Sequence, residues 1–250
     1  MGGAEYRLPV LIGLLKLTAH QSVPVNLAVS LVTLLSALVI RLAVLADFPL
    51  LSMLPLLVSI TLGAMLSAFI ASGVAVRISP NRLETWIQYM LVAIGCLLII
   101  EGLLPLGALN LQQTSVAIQV TVALVMGVII GVVSSTLGVA GGELIIPTLI
   151  LIYGVDIKIA GTASLMISLP VVFTGLARYH RAGALFNRST FSSLVVPMGV
   201  GSVIGSILGG LLLGLVSQDL LKIVLGGILI LSAARMFSHR KKADLPLKMV

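Results

Sequence analysis

The sequence repeats one short pattern of residues at a fixed distance. Gly3, Glu5 and Pro9 recur as Gly141, Glu143 and Pro147, an offset of 143 − 5 = 138 residues. The same offset relates three further pairs of small or polar residues, which are Gly63 with Gly201, Asn26 with Ser164, and Ser30 with Ser168. Duplication of this kind predicts two structural units of similar fold.

Too few charged residues are present to cover a water-facing surface. Hydrophobic residues make up 59% of the chain, charged residues 9%, and the mean hydropathy is +1.22, whereas a soluble domain has about 25% charged residues. The bilayer is the expected solvent, so each span must be a helix that satisfies its own backbone hydrogen bonds. We therefore predict an all-α polytopic membrane protein with two pseudo-symmetric repeats and broken or half-helices, an arrangement typical of secondary transporters.

Seven apolar stretches reach the length of about 20 residues that a membrane-spanning helix needs. They lie near residues 23–46, 50–77, 83–106, 115–137, 159–179, 190–216 and 219–237. Two others, 8–19 and 144–156, are too short, and each follows a glycine pair and contains the repeated proline. We expect these two to be half-helices of broken spans or re-entrant segments.

The basic residues predict the orientation in a prokaryotic cytoplasmic membrane. The net charge of +7 collects at span ends and in the tail His239–Lys242, which indicates a cytoplasmic C-terminus and disfavours nucleic acid as a partner. We count the membrane crossings back from the C-terminus and include 144–156 as one of them. The loop at 77–82 then lies on the cytoplasmic side and its repeat partner near 215–219 on the outer side, so the two repeats are inverted. If the short segments do not cross, the repeats are parallel. Arg41, near an outer span end, is the exception to the charge rule.

The repeat divides the chain into a first unit at 1–114, a second at 115–238 and a basic cytoplasmic tail at 239–250. The second unit opens with the helix at 115–137, and the first unit contains no equivalent of it. Two interpretations are open: the missing helix is encoded upstream of Met1, or the first unit has lost it naturally. We adopt the first, because a repeat unit without its opening helix leaves part of its surface unpaired.

Two segments resemble the TauE/SafE sulfite exporter family: the glycine-rich stretch Gly131–Pro147 and the small, hydroxyl-containing stretch Ala160–Leu165. The first-copy counterparts are Gly2–Pro9 and Val23–Leu27, so the resemblance covers essentially the whole chain. It implies export or uptake of a small anion, commonly sulfite or an organosulfonate. The chain departs from the family pattern in the absent first helix and in Ala4, which stands where the second copy has Gly142.

Two repeated carboxylates and two glycine pairs are the first candidates for function. Glu5 and Glu143 follow the glycine breaks, and an ionisable group inside a membrane suggests a function. They could couple transport to protons or cap the half-helices that start there. The backbone amides at Gly2, Gly3, Gly141 and Gly142 could bind an anion at half-helix N-termini, or these glycines could serve helix packing.

Small polar residues form a third candidate group. Asn26, Ser30, Thr162, Ser164 and Ser168 fall into stripes in which residues four apart share one helix face. They could donate hydrogen bonds to sulfonate oxygens, or they could link neighbouring helices.

Three arginines complete the candidates. Arg41, Arg7 and Arg178 could pair with an anion, although Arg178 is better explained as an anchor at the inner face. No metal-binding or cofactor motif is visible.

The function predicted is secondary transport of a small anion. Two other classes are weighed: an intramembrane enzyme, for which the sequence shows neither HExxH nor GxSxG, and a membrane subunit of a larger complex. The oligomeric state is not predicted.

Overall fold

The computed structural model describes residues 7, 11, 15, 17, 19–44, 48–74, 80–103, 111, 114–137, 141–181 and 190–243. Within these residues the fold is helical and contains no strand. The helices are α1 (Ala19–Val44), α2 (Leu50–Val74), α3 (Pro80–Leu103), α4 (Val116–Leu137), α5 (Gly142–Leu151), α6 (Ile157–Arg181), α7 (Val196–Leu215) and α8 (Gln218–Ala243). One turn of π-helix at Phe191–Val195 leads into α7.

Each of the seven apolar stretches predicted as a span coincides with a long helix. Among the described residues, four segments are long and apolar enough to cross a membrane: Gln21–Val44, Leu50–Ser67, Ile157–Arg181 and Phe191–Leu212. Val116–Val132 is a shorter apolar helix. The expected all-helical membrane protein is therefore confirmed at this level.

The short apolar stretch after the second glycine pair is a short helix. Gly141 adopts a left-handed backbone with φ 72°, which a residue with a Cβ adopts only with strain. Helix α5 then runs for 10 residues, Gly142–Leu151, or about 15 Å, half the thickness of a bilayer core. Most of its predicted first-copy counterpart, 8–19, lies outside the described residues.

Tyr153, in the turn after α5, forms a hydrogen bond to α4. This side chain is fully buried, and its hydroxyl donates a hydrogen bond to the Gln119 carbonyl oxygen at 3.0 Å. A buried phenol needs such a partner for its hydroxyl group. The bond therefore fixes the end of the short helix against the first half of α4.

The chain divides into two compact units. In the first, residues 1–73 and 108–216, helix α1 packs against both α6 and α7. Leu27 and Leu34 of α1 form a buried cluster with Leu165 and Val172 of α6. The second unit, residues 74–107 and 217–250, is built on the pairing of α3 with α8.

Glycines allow the closest helix contacts within each unit. In the first, Gly63 of α2 lies against the backbone of α4 at Leu124 and Val128. In the second, Gly95 of α3 faces Gly226 of α8. Small residues let helix backbones approach in a membrane, where apolar burial no longer drives association.

Candidate functional site

A cavity of about 380 Å³ lies in the first unit, beside α1, α6 and α7. Two arginines and three hydroxyl residues line it together with small and apolar side chains. None of the residues described around the cavity is acidic. The lining consists of Arg7, Thr33, Ala37, Arg41, Leu165, Ser202, Gly205, Ser206, Gly209 and Gly210.

One face of α1 supplies a polar stripe that leads to this cavity. Asn26, Ser30, Thr33, Ala37 and Arg41 follow each other at intervals of 4, 3, 4 and 4 residues, the spacing of one helix face. Thr33, Ala37 and Arg41 line the cavity. Asn26 and Ser30 continue the same face into the buried part of the helix, where their exposed fractions are 0% and 1%.

Arg7 is held at the cavity by hydroxyls of this stripe. Its Nη2 donates to Ser30 Oγ at 2.7 Å, and its Nη1 lies 3.3 Å from Thr33 Oγ1 as a second donor. Thr33 in turn donates its hydroxyl hydrogen to the Val29 carbonyl oxygen at 2.7 Å. Ser30 and Arg7, two separate sequence candidates, are thus brought into direct contact.

The Arg41 side chain contacts the first turns of α6. Its Nη1 donates to the Lys158 carbonyl oxygen at 3.3 Å, and its guanidinium lies so close to Gly161 that an added Cβ there would overlap it. No carboxylate in the described part of the chain pairs with Arg41. The residue that departs from the charge rule is therefore a partly buried cation at a cavity wall.

The three α6 candidates are buried but do not belong to the cavity lining. Thr162, Ser164 and Ser168 have exposed fractions of 0%, 2% and 1%. Thr162 donates to the Lys158 carbonyl oxygen at 3.1 Å, the same oxygen that Arg41 approaches. Leu165 is the α6 residue at the cavity.

Asp156, just before α6, caps this helix. Its Oδ1 accepts from the backbone N–H groups of Lys158 at 2.6 Å and Ile159 at 3.4 Å. A carboxylate at this position stabilises a helix N-terminus. The described contacts of the Asp156 side chain are therefore with backbone amides.

Asn26 is a polar side chain with no partner among the described residues. Neither its amide nitrogen nor its amide oxygen makes a hydrogen bond there, and both atoms are buried. A buried polar group without a partner costs about 1–3 kcal/mol, so in native structures it usually meets water, an ion or a ligand.

The second-copy glycines mark the start of α5, as their sequence predicted. Gly141 precedes the helix, Gly142 begins it, and the N–H groups of Leu144 and Ile145 donate to the Gly141 carbonyl oxygen. Glu143 lies in the first turn of α5, and Arg178 lies in α6. The side chains of both residues are outside the described part of the structure. Gly2, Gly3 and Glu5 lie outside the described residues altogether.

The model of one protein family, Sulfite exporter TauE/SafE, matches residues 1–236. The chain belongs to the TauE/SafE family. This match covers nearly all of the 250 residues and agrees with the resemblance seen at the glycine-rich stretches. No curated protein and no solved structure matches the chain significantly.

This TauE/SafE protein is accordingly a membrane protein of a transporter family. Its cavity includes residues that the sequence did not single out, namely Thr33, Ser202, Ser206 and the α7 glycines. Thr33 could have been found by extending the helix face of Ser30 towards Arg41. The α7 residues could not have been predicted from the sequence, because no local pattern indicates which helix packs against α1.

Proposed function

We propose that this protein is a secondary transporter that moves a small anion, sulfite or an organosulfonate, across the cytoplasmic membrane and binds it at the Arg7–Arg41 cavity. The observation that supports this most is the presence of two arginines in one cavity of a membrane-embedded helical unit. Cations inside membrane proteins commonly mark a substrate path, and guanidinium groups bind oxyanions through two parallel hydrogen bonds.

Of the neighbouring hydroxyls, that of Ser30 is the one proposed to donate to the anion. Ser30 Oγ accepts from Arg7 and keeps its own hydrogen to donate. Ser206 Oγ lies 3.0 Å from Ser36 Oγ and donates its hydrogen to the Ser202 carbonyl oxygen at 2.7 Å, so it makes this wall polar without offering a free donor. A volume of about 380 Å³ is at the lower end for ligand pockets, about 300–1,000 Å³, and suits a small anion with part of its hydration shell.

Asn26 belongs to the same proposed path. Its amide has no partner among the described residues and lies on the Arg41 face of α1, seven residues before Thr33, which corresponds to about 10 Å along the helix axis. We propose that the Asn26 amide contacts the anion, or a water molecule bound to it, further along α1 from the cavity. Thr162, Ser164 and Ser168, in the facing helix α6, remain proposed contacts of the same kind.

The transporter is proposed to consist of two inverted repeats. Adding 138 to the bounds of α1, α2 and α3 gives 157–182, 188–212 and 218–241. These ranges are close to α6 at 157–181, the π-helical turn together with α7 at 191–215, and α8 at 218–243. Matching helix lengths and positions support a duplication. An odd number of crossings per repeat and a cytoplasmic C-terminus would make the two copies inverted.

Glu143, with Glu5 as its repeat partner, is proposed to couple transport to protons, with helix capping as the alternative. A Glu143→Gln variant should keep its fold but transport the anion without dependence on a pH gradient. The measurement is anion flux in proteoliposomes with and without such a gradient, beside circular dichroism of the purified variant. An unchanged dependence on the pH gradient would leave Glu143 with the capping role.

Flux into proteoliposomes tests the proposed function as a whole. Sulfite, sulfate and sulfoacetate would be offered in turn to vesicles with the protein and to protein-free vesicles. We expect faster entry of sulfite or the sulfonate with the protein, and loss of that gain in Arg41→Gln. Arg181→Gln, which removes an exposed arginine at the end of α6, is the matched control. Equal flux with and without protein for all three anions would reject this function.

A further inference from the structure

Gly161, in the second turn of α6, lies directly against the end of the Arg41 side chain. A Cβ added at this glycine would overlap Nη1 of Arg41 and would come within 3.0 Å of its Cζ and 3.1 Å of its Nη2. These three atoms make up most of the guanidinium plane, so this plane lies on the backbone of α6. Every residue other than glycine would place a Cβ in that space.

The preceding turn of α6 holds the same guanidinium by a hydrogen bond. Arg41 Nη1 donates to the Lys158 carbonyl oxygen at 3.3 Å. Asp156 fixes this turn, because its Oδ1 accepts from the backbone N–H groups of Lys158 and Ile159. The guanidinium therefore has a defined seat, which consists of the Lys158 carbonyl oxygen and the open Cβ position of Gly161.

Helix α6 is packed too closely to move away from a methyl group added at position 161. Its neighbouring residues Ile157, Ala160 and Ala163 have exposed fractions of 6%, 0% and 0%, and α5 packs against the same helix. The long Arg41 side chain, by contrast, can change to other staggered rotamers. The added methyl group would therefore displace the guanidinium towards the cavity that Arg41 lines and leave the fold intact.

We propose that Gly161 is a positioning residue for the anion site, because its lack of a side chain lets the Arg41 guanidinium lie on α6 in a fixed orientation. This role rests on the proposed function, which makes Arg41 a ligand of the anion. Among the described residues, Arg41 donates only to the Lys158 carbonyl oxygen, which leaves its other N–H groups for an oxyanion. Two parallel N–H···O bonds require a guanidinium whose plane is fixed, so Gly161 acts on the anion through Arg41 without touching it.

Gly175 provides a matched control on the same face of α6. It lies 175 − 161 = 14 residues further along, about four helical turns, and it faces Leu27, which lies 41 − 27 = 14 residues before Arg41 in α1. A Cβ added at Gly175 would lie 3.5 Å from Leu27 Cδ1, an ordinary contact distance. Gly175→Ala therefore adds the same methyl group between the same two helices without displacing a neighbour.

Chemical modification tests the Arg41 seat without any anion. The arginine reagent phenylglyoxal would be applied to the parent protein, Gly161→Ala and Gly175→Ala, and mass spectrometry would give the rate of modification at Arg41. We expect a rate about fivefold higher in Gly161→Ala, because its guanidinium has lost one hydrogen bond, and the parent rate in Gly175→Ala. Equal rates in all three proteins would overturn the seat. An unfolding temperature lowered in Gly161→Ala alone would also overturn it, because α6 and not Arg41 would then have moved.

Isothermal titration of sulfite tests the effect of Gly161 on the anion. Gly161→Ala should raise the Kd about fivefold, the effect of one hydrogen bond, whereas Gly175→Ala should leave it unchanged. In the Arg41→Gln background Gly161→Ala should have no further effect, because the two residues act as one unit. An equal rise of the Kd in both backgrounds, or no rise in either, would overturn the positioning role. A parent protein that binds no sulfite would reject the proposed function instead, and the modification rates would still decide whether Gly161 seats Arg41.

Discussion

At the scale of single residues, apolar packing does not explain two polar groups inside the fold. Among the described residues, Arg41 makes one hydrogen bond, to a backbone carbonyl oxygen, and Asn26 makes none. Both cost free energy in an apolar interior unless something pairs with them. The proposed anion in the cavity would pair with Arg41, and water or an anion on the same face of α1 would pair with Asn26.

Asn26→Leu separates a binding role from a structural one. If the amide serves only packing, an apolar side chain of similar size should be neutral or stabilising, by up to about 1–3 kcal/mol, because it removes an unsatisfied buried group. We expect thermal stability in detergent to be kept or raised while sulfite flux falls. The combination of unchanged flux with raised stability would remove Asn26 from the path.

At the scale of elements, the glycines decide which helices approach each other. Gly63 of α2 and Gly201 of α7 are separated by the 138-residue offset of the proposed repeat, yet of these two only Gly63 faces another backbone within the described residues. The same residue type therefore packs against a helix backbone at position 63 and meets no described residue at position 201. This contrast provides a matched pair of substitutions.

Gly63→Ala should destabilise the 250-residue protein, whereas Gly201→Ala should not. The added methyl group at Gly63 would meet the α4 backbone at 2.5 Å, which forces the helices apart and costs about 1–3 kcal/mol. At Gly201 the methyl group meets no atom of the described residues within 4 Å. Unfolding temperatures of the two variants and the parent would measure the difference. A comparable loss of stability for both substitutions would contradict this expectation and show that other atoms contact position 201.

Sequence patterns predicted the elements well because the membrane leaves few alternatives. Apolar length alone located the long helices, and the glycine pair with Pro147 located the short helix α5. The polar stripe with Asn26 and Ser30 was also visible, because helix periodicity is local. The cavity was not, since Ser202, Ser206 and Arg7 come from distant parts of the chain. Only tertiary packing brings them to Arg41.

At the scale of the whole molecule, the proposed transporter has one orientation in the bilayer. Basic residues cluster in the tail at 239–242, and such clusters remain on the cytoplasmic side. We expect a C-terminal green fluorescent protein fusion to fluoresce and a C-terminal alkaline phosphatase fusion to be inactive, because each reporter matures on one side only. A non-fluorescent fusion together with an active phosphatase fusion would invert the proposed topology and the side of the membrane assigned to each loop.

The central claim, that the cavity binds an anion through Arg7 and Arg41, is tested most directly by equilibrium binding. Isothermal titration of sulfite into the purified protein would be compared with Arg41→Gln and with the control Arg181→Gln. A hydrogen bond to a charged group contributes about 1.5–3 kcal/mol, so Arg41→Gln should raise the Kd at least about tenfold while Arg181→Gln leaves it unchanged. Sulfite binding of equal affinity in the parent protein and in both variants would contradict the claim.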